Sequence, residues 1–251
     1  MPIERSKELR LAVIIDADNV PYGNVKAMME EIAKYGTPTF KRIYGDWTKP
    51  NTSGWKSVLL ENAITPIQQY GYTVGKNATD SAMIIDAMDI LYSGRVEGFC
   101  IVSSDSDFTR LAIRLREAGM VVIGIGERKT PEPFITACDK FIYIEILNYD
   151  EPHTDGAAKK RGRGKKTETP QFDKRTLNVI KSSINDLADE SGWAFLGEVG
   201  TLILKKQPNF DSRNYGFKKL LHLMKSFDSI EVDERQSETG TSRHVYVRVR
   251  Q

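Results

Sequence analysis

The sequence predicts an α/β fold with a mainly parallel sheet flanked by helices, followed by a small α+β domain. In residues 1–149, short apolar runs alternate with amphipathic segments, which is the pattern of parallel strands joined by helical crossovers. Residues 170–251 instead contain three amphipathic segments followed by two alternating strands. The polar, cation-rich stretch at 150–169 has no apolar periodicity, and we place a flexible basic linker there.

The first predicted strand carries acidic residues at its carboxyl end. Leu11–Ile15 is a continuous apolar run, as expected for a strand that is buried on both faces. Asp16, Asp18 and Asn19 follow this run. Because ligands of open α/β sheets bind beyond the carboxyl ends of the strands, we expect these side chains at the mouth of a crevice.

The later elements of the first domain follow from apolar spacing and from helix-ending glycines. The spacing predicts helices at 21–35, 54–62, 79–91, 108–118 and 133–138, and strands at 39–44, 67–74, 99–102, 120–125 and 140–147. Asp80 lies at the start of the third helix, and Asp105 and Asp107 follow the strand at 99–102. Asp16 and Asp105 follow the two most hydrophobic strands, so we expect them to be close neighbours.

Composition excludes several classes of protein and of site. The chain has no apolar run near the ~20 residues that a membrane span needs, and its first ten residues lack the apolar core of a secretory signal. Cys100 and Cys138 lack CxxC spacing, which indicates reduced core thiols in a cytoplasmic protein. All three histidines lie after residue 150, so a metal in the first domain would have oxygen ligands, which favours Mg²⁺ or Mn²⁺.

The acids of the first domain predict a metal site. Clustered carboxylates repel one another unless a cation neutralises them. A divalent cation also lowers the pKa of bound water and binds phosphoryl oxygens. With Asp16, Asp80 and Asp105 as the main ligands, this combination indicates metal-dependent phosphodiester hydrolysis.

Other candidates in this domain have structural alternatives. Asp86 lies about 120° around the helix from Asp80, so the two side chains need not share a direction. Ser104 and Asp107 have the spacing of a capping box, which would give Asp107 a structural role. Lys76 suits either a phosphate contact or a solvated loop.

The first motif also leaves a second enzyme class open. Asp16, Asp18 and Val20 fit the DxDx(T/V) motif of haloacid-dehalogenase-like phosphatases, with Asp16 as nucleophile and Asp18 as acid/base. That hypothesis leaves Asn19 and Asp80 without a role. Asp18 is equally compatible with a turn or a helix cap, and Asn19 with a turn.

Four segments in this order, IIDADN, KNATDSAMIIDA, IVSSDSDF and LREAGMVVIGIG, resemble the NYN family of PIN-like ribonucleases over residues 9–147. The resemblance implies a PIN-like α/β sandwich whose acidic pocket binds Mg²⁺ or Mn²⁺ and hydrolyses RNA. By position, Asp16 and Asn19 match the first motif of the family, Asp80 and Asp86 the second, and Asp105 and Asp107 the third. The implied catalytic residues are Asp16, Asn19, Asp80, Asp105 and Asp107, and the four acids among them are the implied metal ligands. Ser104 stands where the family often has glycine. Supporting roles fall to Asp18, Asp86, Lys76 and Ser104.

The C-terminal domain is similar to the OST-HTH/LOTUS domain, most specifically in the segment PNFDSRNYGFKKL at Pro208–Leu220. Helices at 173–189, 198–205 and 215–227, followed by strands at 230–233 and 245–249, have the order of a winged helix-turn-helix. The resemblance implies RNA binding, or protein binding in some relatives. The residues expected to contact nucleic acid are Lys159, Lys160, Arg161, Arg163, Lys165, Lys166, Arg213, Tyr215, Lys218, Lys219, Lys225 and Arg243.

Together these observations predict a two-domain, metal-dependent ribonuclease. The first domain would cut single-stranded or structured RNA, and the linker and second domain would hold it. The alternative is a non-catalytic RNA-binding regulator. Sequence preference, cleavage polarity, DNA as a substrate, the number of metal ions and the oligomeric state stay open at this point.

Overall fold

The computed structural model describes residues 8–48, 54–70, 78–150, 173–236 and 243–250. The chain divides into two compact units, residues 1–150 and 151–251. Lys76 and the six linker cations predicted to bind RNA lie outside the described residues. Among the helices that are described, none is long and apolar enough to cross a membrane.

A six-stranded parallel sheet forms the centre of the first unit, as the sequence predicts. Its strands are β1 (Arg10–Asp16), β2 (Thr37–Gly45), β3 (Thr65–Gln68), β4 (Gly98–Val102), β5 (Val121–Gly126) and β6 (Lys140–Tyr143), in the order β3-β2-β1-β4-β5-β6. The helices are α1 (Val25–Ile32), α2 (Trp55–Glu61), α3 (Ala78–Tyr92), α4 (Thr109–Glu117) and α5 (Glu132–Ala137). Every neighbouring pair of strands is parallel, so the six carboxyl ends meet at one edge.

Strand β1 is buried on both faces, which explains its unbroken apolar sequence. Leu11, Val13 and Ile15 pack into the core that α1 and α2 cover. Ala12 and Ile14 pack into the opposite core, with α3, α4 and α5. Burial of each Val, Leu or Ile side chain contributes about 1.5–3 kcal/mol to folding, so both layers hold the strand that positions the first acidic motif.

Three elements of the first unit differ most from their predicted bounds. Strand β3 begins before Pro66 and ends at Gln68, whereas the prediction was 67–74; proline is tolerated because β3 pairs only with β2 at the sheet edge. Strand β6 ends at Tyr143, and the chain continues as a 3-10 helix over Ile144–Asp150. Helix α1 follows a separate 3-10 turn at Tyr22–Asn24, instead of starting at residue 21.

The second unit packs three helices against a small antiparallel sheet. Its helices are α6 (Lys174–Leu187), α7 (Leu196–Lys206) and α8 (Leu220–Lys225), and its strands are β7 (Ala194–Phe195), β8 (Ile230–Gln236) and β9 (Arg243–Val249), in the order β7-β9-β8. Ile180, Val199, Leu223 and Val247 are fully buried in a core shared by all these layers. This architecture fits the small winged-helix-like domain that the sequence predicts.

The prediction of one continuous helix over 215–227 is wrong. Ser212–Tyr215 is a 3-10 turn, and it ends at Gly216, whose φ of 82° is left-handed. An α-helix cannot continue through that conformation. Lys219 is extended, and α8 begins only at Leu220. The two-residue strand β7 was not predicted, because so short a segment carries no recognisable alternation.

Candidate metal centre and nucleic-acid interface

Asp16 ends β1 as a buried carboxylate with three hydrogen-bond donors. Its side chain is 1% exposed. Its Oδ1 accepts from the backbone N–H of Asp18 (3.1 Å), and its Oδ2 accepts from Nδ2 of Asn19 (2.6 Å) and Oγ of Ser103 (3.0 Å). Burial raises the pKa of Asp16, and these hydrogen bonds oppose the rise because they favour the charged form. The turn after β1 is therefore built on Asp16, while Asp18 is exposed.

Ser103 connects the first acidic motif to the third. It follows β4, which pairs with β1, and its side chain is fully buried. Its hydroxyl donates to Asp16 and accepts from the backbone N–H of Asp105 at 3.1 Å. Ser103 was not among the residues predicted for the site, although its place directly after a buried strand was an available signal. The neighbouring strand ends thus share one hydrogen-bond network, as the predicted closeness of Asp16 and Asp105 requires.

Asp105, and not Ser104, caps the turn that precedes α4. Oδ1 of Asp105 accepts from the backbone N–H of Asp107 at 2.9 Å. The hydroxyl of Ser104 accepts instead from the backbone N–H of Glu127, in the loop after β5, at 2.9 Å. The predicted capping box is therefore wrong, and its proposed structural role passes from Asp107 to Asp105. Ser104 fastens two loops at the carboxyl edge of the sheet.

Asp80 completes a compact acidic cluster. It lies in the first turn of α3, and one carboxylate oxygen from each of Asp80, Asp105 and Asp107 lies within 4.8 Å of the others. Partial burial raises the pKa of Asp80 to about 6, and repulsion from Asp16, Asp105, Asp107 and Asp18 adds to the rise. An all-oxygen donor set of this size fits Mg²⁺ or Mn²⁺. We call Asp80, Asp105 and Asp107 the acidic cluster.

The side chain of Asp86 contacts two residues of the neighbouring strand β2. Its carboxylate accepts hydrogen bonds from the guanidinium of Arg42 and from the hydroxyl of Tyr44, both on β2. Tyr44 is fully buried, and the pKa of its hydroxyl is raised by this burial and by the hydrogen bond to Asp86. These contacts hold α3 against β2 at Asp86, which is six residues after Asp80 in the helix. The structure does not place Asp86 in the acidic cluster.

Several cations predicted to contact nucleic acid have acidic partners in the second unit. Arg213 makes two side-chain bonds to Asp211, at 3.0 and 2.7 Å. Lys225 bonds Glu234 at 2.6 Å, and Arg243 lies 3.9 Å from the same carboxylate. These ion pairs reduce the positive charge that the predicted interface presents.

The remaining predicted contacts of the second unit are Tyr215, Lys218 and Lys219. Tyr215 is half-buried, and its hydroxyl lies 3.2 Å from Oγ1 of Thr176, so its side chain ties the 3-10 turn to α6. Lys218 and Lys219 are exposed. The aromatic residues on the face of the small sheet that does not pack on the core were not among the predicted contacts. The alternation of side chains along β9 was a signal that this strand has such a face.

Seven chains of solved structures match this one, and they include the following three proteins. A protein of unknown function from Vibrio parahaemolyticus is 18% identical, with 57% of this chain and 96% of that chain covered and a TM-score of 0.48. An uncharacterized protein from Nitrosomonas europaea is 33% identical, with 39% and 91% covered and a TM-score of 0.31. A protein from Chromobacterium violaceum is 31% identical, with 33% and 88% covered and a TM-score of 0.26.

Comparison with protein families assigns both units. No match was found among the curated proteins. The NYN domain matches residues 10–145, which is more than half of the chain. The OST-HTH/LOTUS domain matches residues 167–241. The protein therefore belongs to the NYN family and carries an OST-HTH/LOTUS domain in its C-terminal part.

Proposed function

We propose that this protein is a metal-dependent ribonuclease. Residues 1–149 would hydrolyse RNA, while the basic linker at 150–169 and residues 170–251 would hold it. Membership of a family of PIN-like nucleases supports the first role, and the OST-HTH/LOTUS domain supports the second. The observation that carries the proposal is the acidic cluster at the carboxyl edge of the parallel sheet.

Asp80, Asp105 and Asp107 would hold Mg²⁺ or Mn²⁺. Their spacing lets three carboxylate oxygens face one cation. Partial burial raises the pKa of Asp80, and neighbouring negative charge that a cation would neutralise adds to the rise. Bound there, the metal supplies Lewis acidity toward water and phosphate oxygens.

The other residues of the network would orient this site. Asp16 holds the side-chain amide of Asn19 and, through Ser103, the backbone of Asp105. Held in this way, the side-chain carbonyl of Asn19 can accept a hydrogen bond from the attacking water. Asp16 adds negative charge beside the acidic cluster, and Oδ1 retains a lone pair for a metal or a water.

Cleavage of a labelled single-stranded RNA by the full chain tests the proposal. Wild type should cleave with Mn²⁺ or Mg²⁺ and stop in EDTA. Asp105→Asn keeps a side chain that can cap the turn but removes a ligand charge, so cleavage should fall about 100-fold or more. Asp89→Asn is the matched control, because it removes an exposed carboxylate from α3 and should leave cleavage unchanged.

Three outcomes distinguish the alternatives. Equal cleavage by wild type and Asp105→Asn would overturn the assignment of the site. Tight RNA binding without any metal-dependent cleavage would favour the RNA-binding regulator. The phosphatase alternative has no support from the family comparison, because residues 10–145 match the NYN domain. An aspartyl-phosphate trapped on Asp16 would favour it.

A further inference from the structure

The small sheet of the second unit has one face that does not pack on the core. Along β9, Val245, Val247 and Val249 contact the core. Because side chains alternate along a strand, His244 and Tyr246 lie on the opposite face. The register places Phe195 of β7 opposite Tyr246 on that same face. We call this surface the outer sheet face.

Aromatic rings form a continuous group on the outer sheet face. The ring of Phe195 lies 5.9 Å, between centroids, from the rings of both His244 and Tyr246. Phe195 is 36% exposed, His244 is exposed, and Tyr246 is half-buried. These three rings lie outside the core cluster of this unit and form an aromatic surface that water can reach, with the Phe195 ring inclined at 59° to each of the other two.

Guanidinium groups extend this aromatic surface. Arg235 lies 4.3 Å from the ring centroid of Tyr246 and 5.4 Å from that of Trp193. Arg248 lies 4.6 Å from the ring centroid of Trp193. Stacked guanidinium and aromatic planes are the groups on which proteins stack unpaired nucleic-acid bases. The cation–π contacts also hold these planes in place before any ligand binds.

The charge of this surface suits RNA but keeps electrostatic attraction small. By the same alternation, this face carries Arg235 and Arg248 and the acids Glu231 and Asp233, and Arg250 follows directly after β9. Arg235 bonds Asp233 at 2.8 Å, and Arg248 bonds Glu231 at 2.5 Å. The small net positive charge would not repel RNA phosphates, and most of the free energy of binding would come from base stacking.

We propose that the outer sheet face binds unpaired RNA bases, with Phe195 as the main stacking residue and His244 and Tyr246 beside it. This inference rests on the RNA-binding role proposed for the C-terminal domain. The predicted cationic residues would contact RNA phosphates, whereas these aromatic residues would contact RNA bases and were not among the predicted contacts. Duplex RNA is a poor ligand for this face, because its bases are already stacked on one another.

Equilibrium binding of the full chain to a fluorescent single-stranded RNA, measured by anisotropy in EDTA, tests the proposal. Phe195→Leu keeps an apolar side chain but removes the flat ring, and it should weaken binding about tenfold, the effect of losing one stacked base. Phe195→Tyr should bind like wild type. The salt dependence should not change, because no cation is removed. Tyr92→Leu, at an exposed aromatic residue of α3, is the control and should bind like wild type.

An abasic version of the RNA gives a second readout. Wild type should bind it at least about tenfold more weakly than the intact strand, and the difference between the two RNAs should be smaller for Phe195→Leu. Thermal unfolding of each variant confirms that its fold is retained. Equal binding by wild type and Phe195→Leu, or equal losses in Phe195→Leu and Phe195→Tyr, would overturn this inference alone. Failure of wild type to bind any RNA would overturn the RNA-binding role as well and would favour a protein ligand, whereas absence of cleavage bears only on the nuclease role.

Discussion

Replacing Asp80 with asparagine tests the electrostatics of the acidic cluster. The raised pKa of Asp80 means that the folded chain keeps a proton on this carboxyl between about pH 4 and pH 6, where the unfolded chain has released it. The stability of the metal-free wild type therefore falls as the pH rises through this interval, and this loss is complete above about pH 6. Asp80→Asn cannot ionise, so the variant should gain stability relative to wild type over the same interval.

The size of this gain follows from the shift. A rise in pKa from 3.8 to about 6 is worth at most about 3 kcal/mol, at 1.36 kcal/mol per unit. Asp80 is only half-buried, so solvent screening reduces the expected value to about 1 kcal/mol. For a domain of this size, that corresponds to a rise of about 3 °C in the melting temperature.

Thermal unfolding in EDTA at about pH 4 and at about pH 7.5 measures the effect. The difference between Asp80→Asn and wild type should move by about 1 kcal/mol in favour of the variant at the higher pH. Added Mn²⁺ should then stabilise wild type more than the variant, because the variant lacks a ligand charge. Asp89→Asn, on the exposed side of the same helix, is the control. A difference that does not depend on pH, or a control with the same pH dependence, would contradict an origin of the effect in the ionisation of Asp80.

Three further predictions follow from particular contacts. Tyr44→Phe removes a buried hydroxyl that donates to Asp86, so urea unfolding should show a loss of about 1 kcal/mol; an unchanged midpoint would contradict the fastening of α3 to β2. Ser103→Ala removes a donor to Asp16, so Mn²⁺ affinity measured by calorimetry should fall about tenfold, and wild-type affinity would show that Ser103 does not organise the site. Gly216→Ala places a Cβ at a φ of 82° and should cost about 1–2 kcal/mol, measured by thermal unfolding; no loss would show that the turn before α8 rearranges freely.

The parallel sheet and the position of the first acidic motif were predictable because their causes are local in the sequence. A strand covered by helices on both faces needs an unbroken apolar run, and Leu11–Ile15 is such a run. The carboxyl ends of parallel strands must share an edge, which is why Asp16 and Asp105 could be expected near each other. Their place in the structure follows from these two requirements.

The remaining features depend on contacts between distant residues. Asp86 looked available for the site, but it pairs with Arg42 and Tyr44 on a strand more than 40 residues earlier in the chain. Asp105 caps the turn before α4, while the hydroxyl of Ser104 accepts a hydrogen bond from the distant backbone N–H of Glu127. No periodicity in the sequence reports such partners. The helix predicted across Gly216 failed for a different reason, since the flanking apolar spacing continued while the backbone turned left-handed.

The most direct test of the proposed metal centre is anomalous diffraction from a crystal of the full chain grown with Mn²⁺. The acidic cluster predicts one or two anomalous peaks at about 2.2 Å from carboxylate oxygens of Asp80, Asp105 and Asp107. These peaks should be absent from Asp105→Asn crystals and present in Asp89→Asn crystals. Mn²⁺ bound elsewhere, with no peak among these three carboxylates, would contradict the proposed metal centre.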